Sequence, residues 1–395
     1  MAAHSTLMGG SIAWRRINCN ASYALEEAAP EPPVSSYAQK GTMLHSVMQH
    51  VLDNEVDPMT MIGFTEEGQT LTVDDVQDLI QPALDDFDRL LMNYDIEEFD
   101  LITEASVQYR GMNAFGTCDV IVSTPKWLIF VDWKFGKGVL VKGGAQNAQL
   151  KFYAGAARET PGTKELFQRD VKSVVLAIIQ PPAAEKGQDS LTFGEIFEDE
   201  LDLFVEDVRA AVKRIRTEDN LEPRAGKWCR FCNAAPTCPA KLGEVQALLT
   251  LDPKTRIIDP IELGSLVRRA DEMETWIKAV RSTARNELQR GRVVDGFKLA
   301  EKRATRKWID EDQAENLLID AGVALLELHD RKLVSPRRAE RLLKTAGGDP
   351  KAIEEVVTRQ SSGTTMVPED DPRPAITNRR DGSNLDLPVP SKTQS

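Results

Sequence analysis

The chain has 395 residues, 41% of them hydrophobic, which is enough for packed cores and excludes a wholly disordered polypeptide. Its net charge of −13, from 62 acidic and 49 basic residues, excludes a generally basic nucleic-acid-coating protein but not an enzyme with a local basic groove. Five cysteines make no disulfide framework, no apolar run reaches the ~18 residues of a membrane helix, and the first ten residues lack a secretory pattern, so a soluble cytoplasmic protein is expected.

In chain order, the first predicted helix covers residues 41–52, where Leu44, Val47, Met48, Val51 and Leu52 recur at helical spacing and His45 lies beside the stripe. A second covers 73–94, with Val76, Leu79, Ile80, Leu84, Phe87 and Leu91 on one side and a solvated acidic face of Asp74, Asp75, Asp85 and Asp86 on the other. From residue 100 the period changes to that of strands, predicted over 101–109, 115–123 and 127–134. The third is apolar almost throughout, as a strand covered on both faces would be. A glycine loop follows at 136–144, then a helix over 145–158, a strand over 173–180 stopped by Pro181-Pro182, and a helix over 197–216. This pattern predicts an α/β core, a mixed sheet flanked by helices. Residues 222–241 are irregular, 261–290 form a long helix, 293–309 make a hairpin, shorter helices run to about 358, and the proline-rich end reads as a disordered tail.

The informative stretch is Asp119, twelve intervening residues, then Asp132-Trp133-Lys134. Asp132 and Lys134 share a strand face, and a hairpin brings Asp119 alongside. Paired carboxylates repel unless a cation lies between them, and oxygen donors with room for water suit Mg²⁺ or Mn²⁺. The competing reading is a structural Asp–Lys pair at a strand end. Gln149 and Tyr153, four apart on the following helix, face one way, and His45 offers a nitrogen ligand. Lys137 and Lys142 in the glycine loop are candidate phosphate contacts, whereas Trp14, Arg15 and Arg16 read equally as a DNA contact or as a packed Trp with two surface arginines. The glycine loop lacks the Gly-Lys-Ser/Thr of a phosphate-binding loop, so nucleotide hydrolysis is not expected. Cys229, Cys232 and Cys238 form a C-x₂-C-x₅-C cluster that is one thiolate short of a four-coordinate metal.

His45, Asp119, Asp132-Trp133-Lys134 and Gln149…Tyr153 stand in the order of motifs of the RecB-like branch of the PD-(D/E)XK nuclease superfamily, which residues 10–245 resemble. The resemblance implies a restriction-endonuclease-like core and a deoxyribonuclease that is an exonuclease processing linear DNA ends. It implies a divalent ion on His45, Asp119, Asp132 and the Trp133 carbonyl, with Lys134 placing the attacking water and Gln149 and Tyr153 orienting site and strand. Glu104 is a weaker candidate for the site's periphery. One cysteine before the core and three after it is the arrangement of the Cas4-like iron–sulfur nucleases, which implies a [4Fe–4S] cluster on Cys19, Cys229, Cys232 and Cys238, with structural Zn²⁺ as the alternative. Cys118 is then a small buried residue. The whole chain also resembles a phage-associated family that adds a helical C-terminal extension to this core. That implies phage recombination or replication in a bacterial host, with DNA as partner and a phage single-strand-annealing protein as a candidate second one.

The expected organisation is a nuclease domain over 1–245, a mainly helical domain over 250–360 and a disordered tail over 361–395. Two other readings compete with the exonuclease: a non-catalytic DNA- or protein-binding recombination component with a structural metal, and a zinc-stapled endonuclease.

Overall fold

The computed structural model describes residues 4–30, 35–136, 139–141, 143–168, 171, 173–249, 260–298, 339 and 349. The chain divides into two compact units, residues 1–307 and 308–395, and every helix and strand named here belongs to the first. The tail over 361–395 and the helices beyond 308 lie outside the described residues.

Two short helices, α1 (Ala13–Asn18) and α2 (Ser22–Ala28), precede α3 (Ser36–Asn54). Ser35 caps α3 by accepting the Ala38 N–H, and the predicted stripe is the face α3 buries: Met43, Leu44, Val47, Met48 and Val51. A two-stranded ribbon, β1 (Thr65–Glu66) and β2 (Gln69–Thr70), leads into α4 (Val73–Asp75), a π-helical turn over Val76–Ile80 and α5 (Gln81–Asn93). The π turn falls just before Pro82, which has no N–H for the regular ladder.

The acidic face expected on this helix is solvated only in part. Asp74 and Asp85 are exposed, but Asp75 and Asp86 are 5% and 8% exposed. Asp75 closes a capping box with Thr72 and pairs with Lys40 at 2.6 Å, and Asp86 pairs with Arg89 at 3.1 Å. Periodicity marks which residues are polar, but not which of them turn inward to a partner.

Five strands form the central sheet: β3 (Asp100–Tyr109), β4 (Ala114–Ser123), β5 (Trp127–Trp133), then after helix α6 (Ala148–Ala157) β6 (Ser173–Ile179) and β7 (Leu191–Ile196). They lie in sequence order, antiparallel except for the β5–β6 pair, whose parallel join is made by α6. β7 is a strand the sequence reading missed, because Thr192, Gly194 and Glu195 interrupt its three apolar residues and leave it little apolar signal. Helices α7 (Glu198–Thr217), α8 (Pro239–Leu249) and α9 (Pro260–Gln289) complete the unit.

The sheet separates two cores. On one side Val122, Ile129, Val131, Trp133, Val175 and Ile179 pack against α3 and α5. On the other Phe130, Leu176 and Ile178 meet Leu150, Phe152 and Val208 of α6 and α7. β5 and β6 are buried on both faces, which is why their sequences are apolar throughout. The result is a mixed α/β unit with helices on both faces of a five-stranded sheet. No helix among the described residues is long and apolar enough to cross a membrane.

Candidate functional site

The β4–β5 ladder runs from Ser123↔Leu128 to Val120↔Val131 and stops there. One step further the register would pair Asp119 with Asp132. Instead the strands part, and the Asp119 carboxylate takes the place of a backbone acceptor, with Oδ2 receiving the Trp133 N–H at 2.7 Å. The other edge of β4 is disturbed at the same point. Thr103↔Val120 and Ala105↔Cys118 are ladder partners, but Glu104, between them, sits in left-handed backbone at φ 45°. Val120 belongs to the core under α3 and Cys118 to the core under α6, so the side-chain alternation of β4 reverses at Asp119. Leu101 and Ala105 fall on opposite sides likewise, so β3 reverses too. A left-handed non-glycine residue costs about 1 kcal/mol or more, and strain of this kind collects at functional sites.

The reversal turns Glu104 and Asp119 toward α3, where His45 Nδ1 stands 3.4 Å from Asp119 Oδ1. Ligand atoms of His45, Glu104 and Asp119 all lie within 4.8 Å of one another. Asp132 lies outside that trio and is held from the α6 side. Its Oδ1 accepts the Gln149 Nε2 donor at 2.8 Å, and its Oδ2 meets the Lys134 ammonium at 2.5 Å. Lys134 Nζ also donates to Gln149 Oε1 at 3.1 Å, and Gln149 Nε2 is 2.9 Å from the Tyr153 hydroxyl.

Charge follows from this crowding. Burial pushes the Glu104 carboxyl up to about 7, with Asp119 adding to the rise. Burial also raises Asp132, to about 6, against the pull of Lys134 and with the help of Asp119. For Asp119 burial is outweighed by His45, Lys134 and the Trp133 N–H, which hold it below the ordinary carboxylate range. Burial disfavours the His45 imidazolium, but Asp119 more than offsets that and raises the imidazole. Three carboxylates thus crowd around His45 and Lys134, and among the described residues Glu104 has no ion pair. Two carboxylates and an imidazole of this spacing suit Mg²⁺ or Mn²⁺.

Helix α6 owes its position to its cap and to two close approaches. Asn147 accepts the Leu150 N–H at 3.0 Å. A Cβ on Gly10 would meet the Tyr153 ring at 2.5 Å, and one on Gly116 would meet it at 3.1 Å. The residues flanking Gly10 tie down the chain's first described segment: Ser5 N donates to Phe115 O, and Met8 bridges to Ala114. That segment brings in His4, a residue the sequence reading overlooked. Its Nδ1 would be 3.3 Å from a Cβ on Gly116, and its imidazole is lowered by burial, raised by Asp119 and lowered again by Lys134. Nothing in the sequence links position 4 to a motif more than a hundred residues away.

A family model described as "Protein of unknown function (DUF2800)" matches residues 4–374. The chain belongs to that family. The match takes in the whole carboxylate site, from His4 to Tyr153, and all five cysteines.

Cys19 ends α1 and receives the Arg224 N–H on Sγ at 3.4 Å, which brings it to the segment carrying Cys229, Cys232 and Cys238. Burial raises the Cys229 thiol, and the charges of Cys19 and Cys238 also reach it. Cys232 is pushed up to about 12 by burial and Glu26, with Arg15 opposing. Four thiols on these two neighbouring segments have the chemistry of a donor set for Zn²⁺ or an iron–sulfur cluster, either of which binds them as thiolates, although no three of their sulfurs lie within 4.8 Å of one another. Cys118 is fully buried, as expected.

Neither reading of Trp14, Arg15 and Arg16 holds in full. Trp14 stacks edge-on with Trp228 at 6.1 Å, but both arginines are buried and hold Glu26. Sequence gives long charged side chains an outward default that a buried carboxylate partner reverses. Lys137 and Lys142 lie outside the described residues. Around them, the Gln180 side chain grips the glycine loop at the Val141 N–H, 3.0 Å, and the Val139 carbonyl, 2.8 Å.

Proposed function

We propose that this protein is a metal-dependent deoxyribonuclease of the RecB-like kind, an exonuclease acting on linear DNA ends. The observation that carries the reading is the parting of β4 and β5 at Asp119, which gathers His45, Glu104 and Asp119 on one side of the gap and Asp132, Lys134 and Gln149 on the other. A scaffold gains nothing from so much uncompensated negative charge beside a lysine. Metal-assisted phosphodiester hydrolysis has a use for both.

His45, Glu104 and Asp119 would hold the ion, with Asp132 and the Trp133 carbonyl bordering it. Glu104 thereby moves from the periphery to the ligand set. A divalent ion there supplies a Lewis acid that acidifies a water nucleophile and offsets charge gathering on the phosphate. Lys134, fixed by Asp132 and Gln149, orients that water, and Tyr153 holds Gln149 in turn. The four cysteines would carry a [4Fe–4S] cluster, with Zn²⁺ as alternative, and the partner is DNA during phage recombination.

The test is degradation of linear duplex DNA by the full-length protein with Mn²⁺. Lys134→Ala and Asp132→Asn should each slow it at least about a hundredfold while the fold survives. If both cut as fast as the parent, the reading fails. Tight DNA binding without cleavage by the parent protein would instead favour a non-catalytic recombination component.

A further inference from the structure

We propose that Arg15 is a positioning and charge-compensating residue for a negatively charged metal centre built on the thiolates of Cys19, Cys229, Cys232 and Cys238. The proposal rests on the four-cysteine reading and adds a residue that no ligand pattern marks.

The geometry around Arg15 joins the two ends of the centre. Arg15 lies on α1, four residues before Cys19, and its side chain is only 10% exposed. Nη1 donates to the carbonyl of Phe231, inside the Cys229-Arg230-Phe231-Cys232 turn, at 2.9 Å. Nη2 pairs with Glu26 Oε1 at 3.1 Å, and the same oxygen accepts the N–H of Asn233, next to Cys232, at 2.9 Å. One guanidinium therefore links the helix of the first cysteine to both sides of the third. A lysine could not do this, since the contacts need donors in a planar fork.

The charge balance is the second argument. Arg16, also buried, spends its donors on Glu26 Oε2 at 2.7 Å, Ser22 Oγ at 2.8 Å and the carbonyls of Leu7 and Thr6. Two buried guanidinium groups thus share one carboxylate, and Arg15 Nε is buried without a hydrogen-bond partner. A buried cation in excess is costly unless an anion completes the balance. The other buried cation nearby, Lys241 on α8, brings no surplus, because Glu244 and Glu272 hold it at 2.6 and 3.2 Å. The positive charge of Arg15 already opposes the rise of the Cys232 thiol across this gap. Four neutral thiols leave the surplus standing. Four thiolates on Zn²⁺ or on a [4Fe–4S]²⁺ core carry a net charge of −2 and remove it.

The test uses anaerobically purified full-length protein and reads metal content, reduction potential and metal loss to a chelator, with no DNA present. Arg15→Gln removes the charge, so the potential should move negative and metal should leave about tenfold faster or more. Arg15→Lys should lie between that variant and the parent. Glu26→Gln keeps an acceptor for Asn233 but removes the opposing charge, so it should move the potential the other way. Opposite signs from two neighbouring substitutions separate charge compensation from mere loss of packing. In a zinc-loaded protein the same order is read from chelator competition. Unchanged potential and retention in Arg15→Gln, or the same sign in both variants, overturns the proposal. If Cys19→Ser and Cys232→Ser leave the metal content untouched, it is the four-cysteine reading that fails.

Discussion

At the residue scale, the decisive group is one that the motifs rank low. Glu104 is pressed into left-handed backbone opposite Asp119, and its carboxyl is raised to about 7 from an ordinary 4.5. The folded state therefore holds that proton more tightly than the unfolded chain does. The stabilisation this gives is complete below pH about 4.5 and is lost as pH climbs through about 7. Metal-free protein should lose thermal stability over that window relative to Glu104→Gln, which has no proton to lose. Melting temperatures of the two, followed across pH after chelation, check this. Parallel curves would mean that Glu104 is not under electrostatic stress. Asp119 is turned by the reversal of β4, whereas the shared directions of Asp132 with Lys134 and of Gln149 with Tyr153 were legible from sequence because strand and helix periods fix them. Glu104 and His4 were not, because the first depends on a backbone reversal and the second on where the chain's start docks.

At the element scale, the site is a gap between β4 and β5 held open from two sides. Helix α6 presents Gln149 and Tyr153, and the initial segment of the chain lies against Tyr153 at Gly10. Gly10→Ala would drive a methyl into that ring, while Gly116→Ala meets it at a distance a small shift relieves. The first should cost about 1–3 kcal/mol and slow DNA cleavage, and the second should cost less. Urea unfolding alongside cleavage rates gives the order, and equal effects would count against the wedge. Asn147→Ala, which removes the cap of α6, should cost about 1 kcal/mol by the same measurement. The strands β3 to β6 and the helices α3, α5, α6, α7 and α9 were visible in the sequence, since burial on one or two faces writes period two or 3.6 into it. β7 and the short helices α1 and α2 were not, because their residues carry contacts rather than a pattern. Arg16 shows the consequence: it fastens Leu7 and Thr6, and so the segment bearing His4, to the helix that ends in Cys19.

At the scale of the molecule, the cysteines and the carboxylates belong to one mechanical unit. A metal centre on the four cysteines would tie α1 to the segment after α7, Arg16 of α1 holds Leu7 and Thr6, and Ser5 and Met8 beside them meet Phe115 and Ala114 of β4. Loss of the centre should therefore lower nuclease activity without touching a catalytic group. Cys232→Ser should reduce cleavage and melting temperature together, and unchanged cleavage in a metal-depleted variant would show the two sites to be independent. The central claim, one divalent ion at the parting of β4 and β5, is tested most directly by titrating metal-free full-length protein with Mn²⁺ and counting free ion by its paramagnetic resonance. The account predicts one site that weakens at least about tenfold in both Asp119→Asn and Glu104→Gln. Equal affinity in the parent and both variants would contradict it.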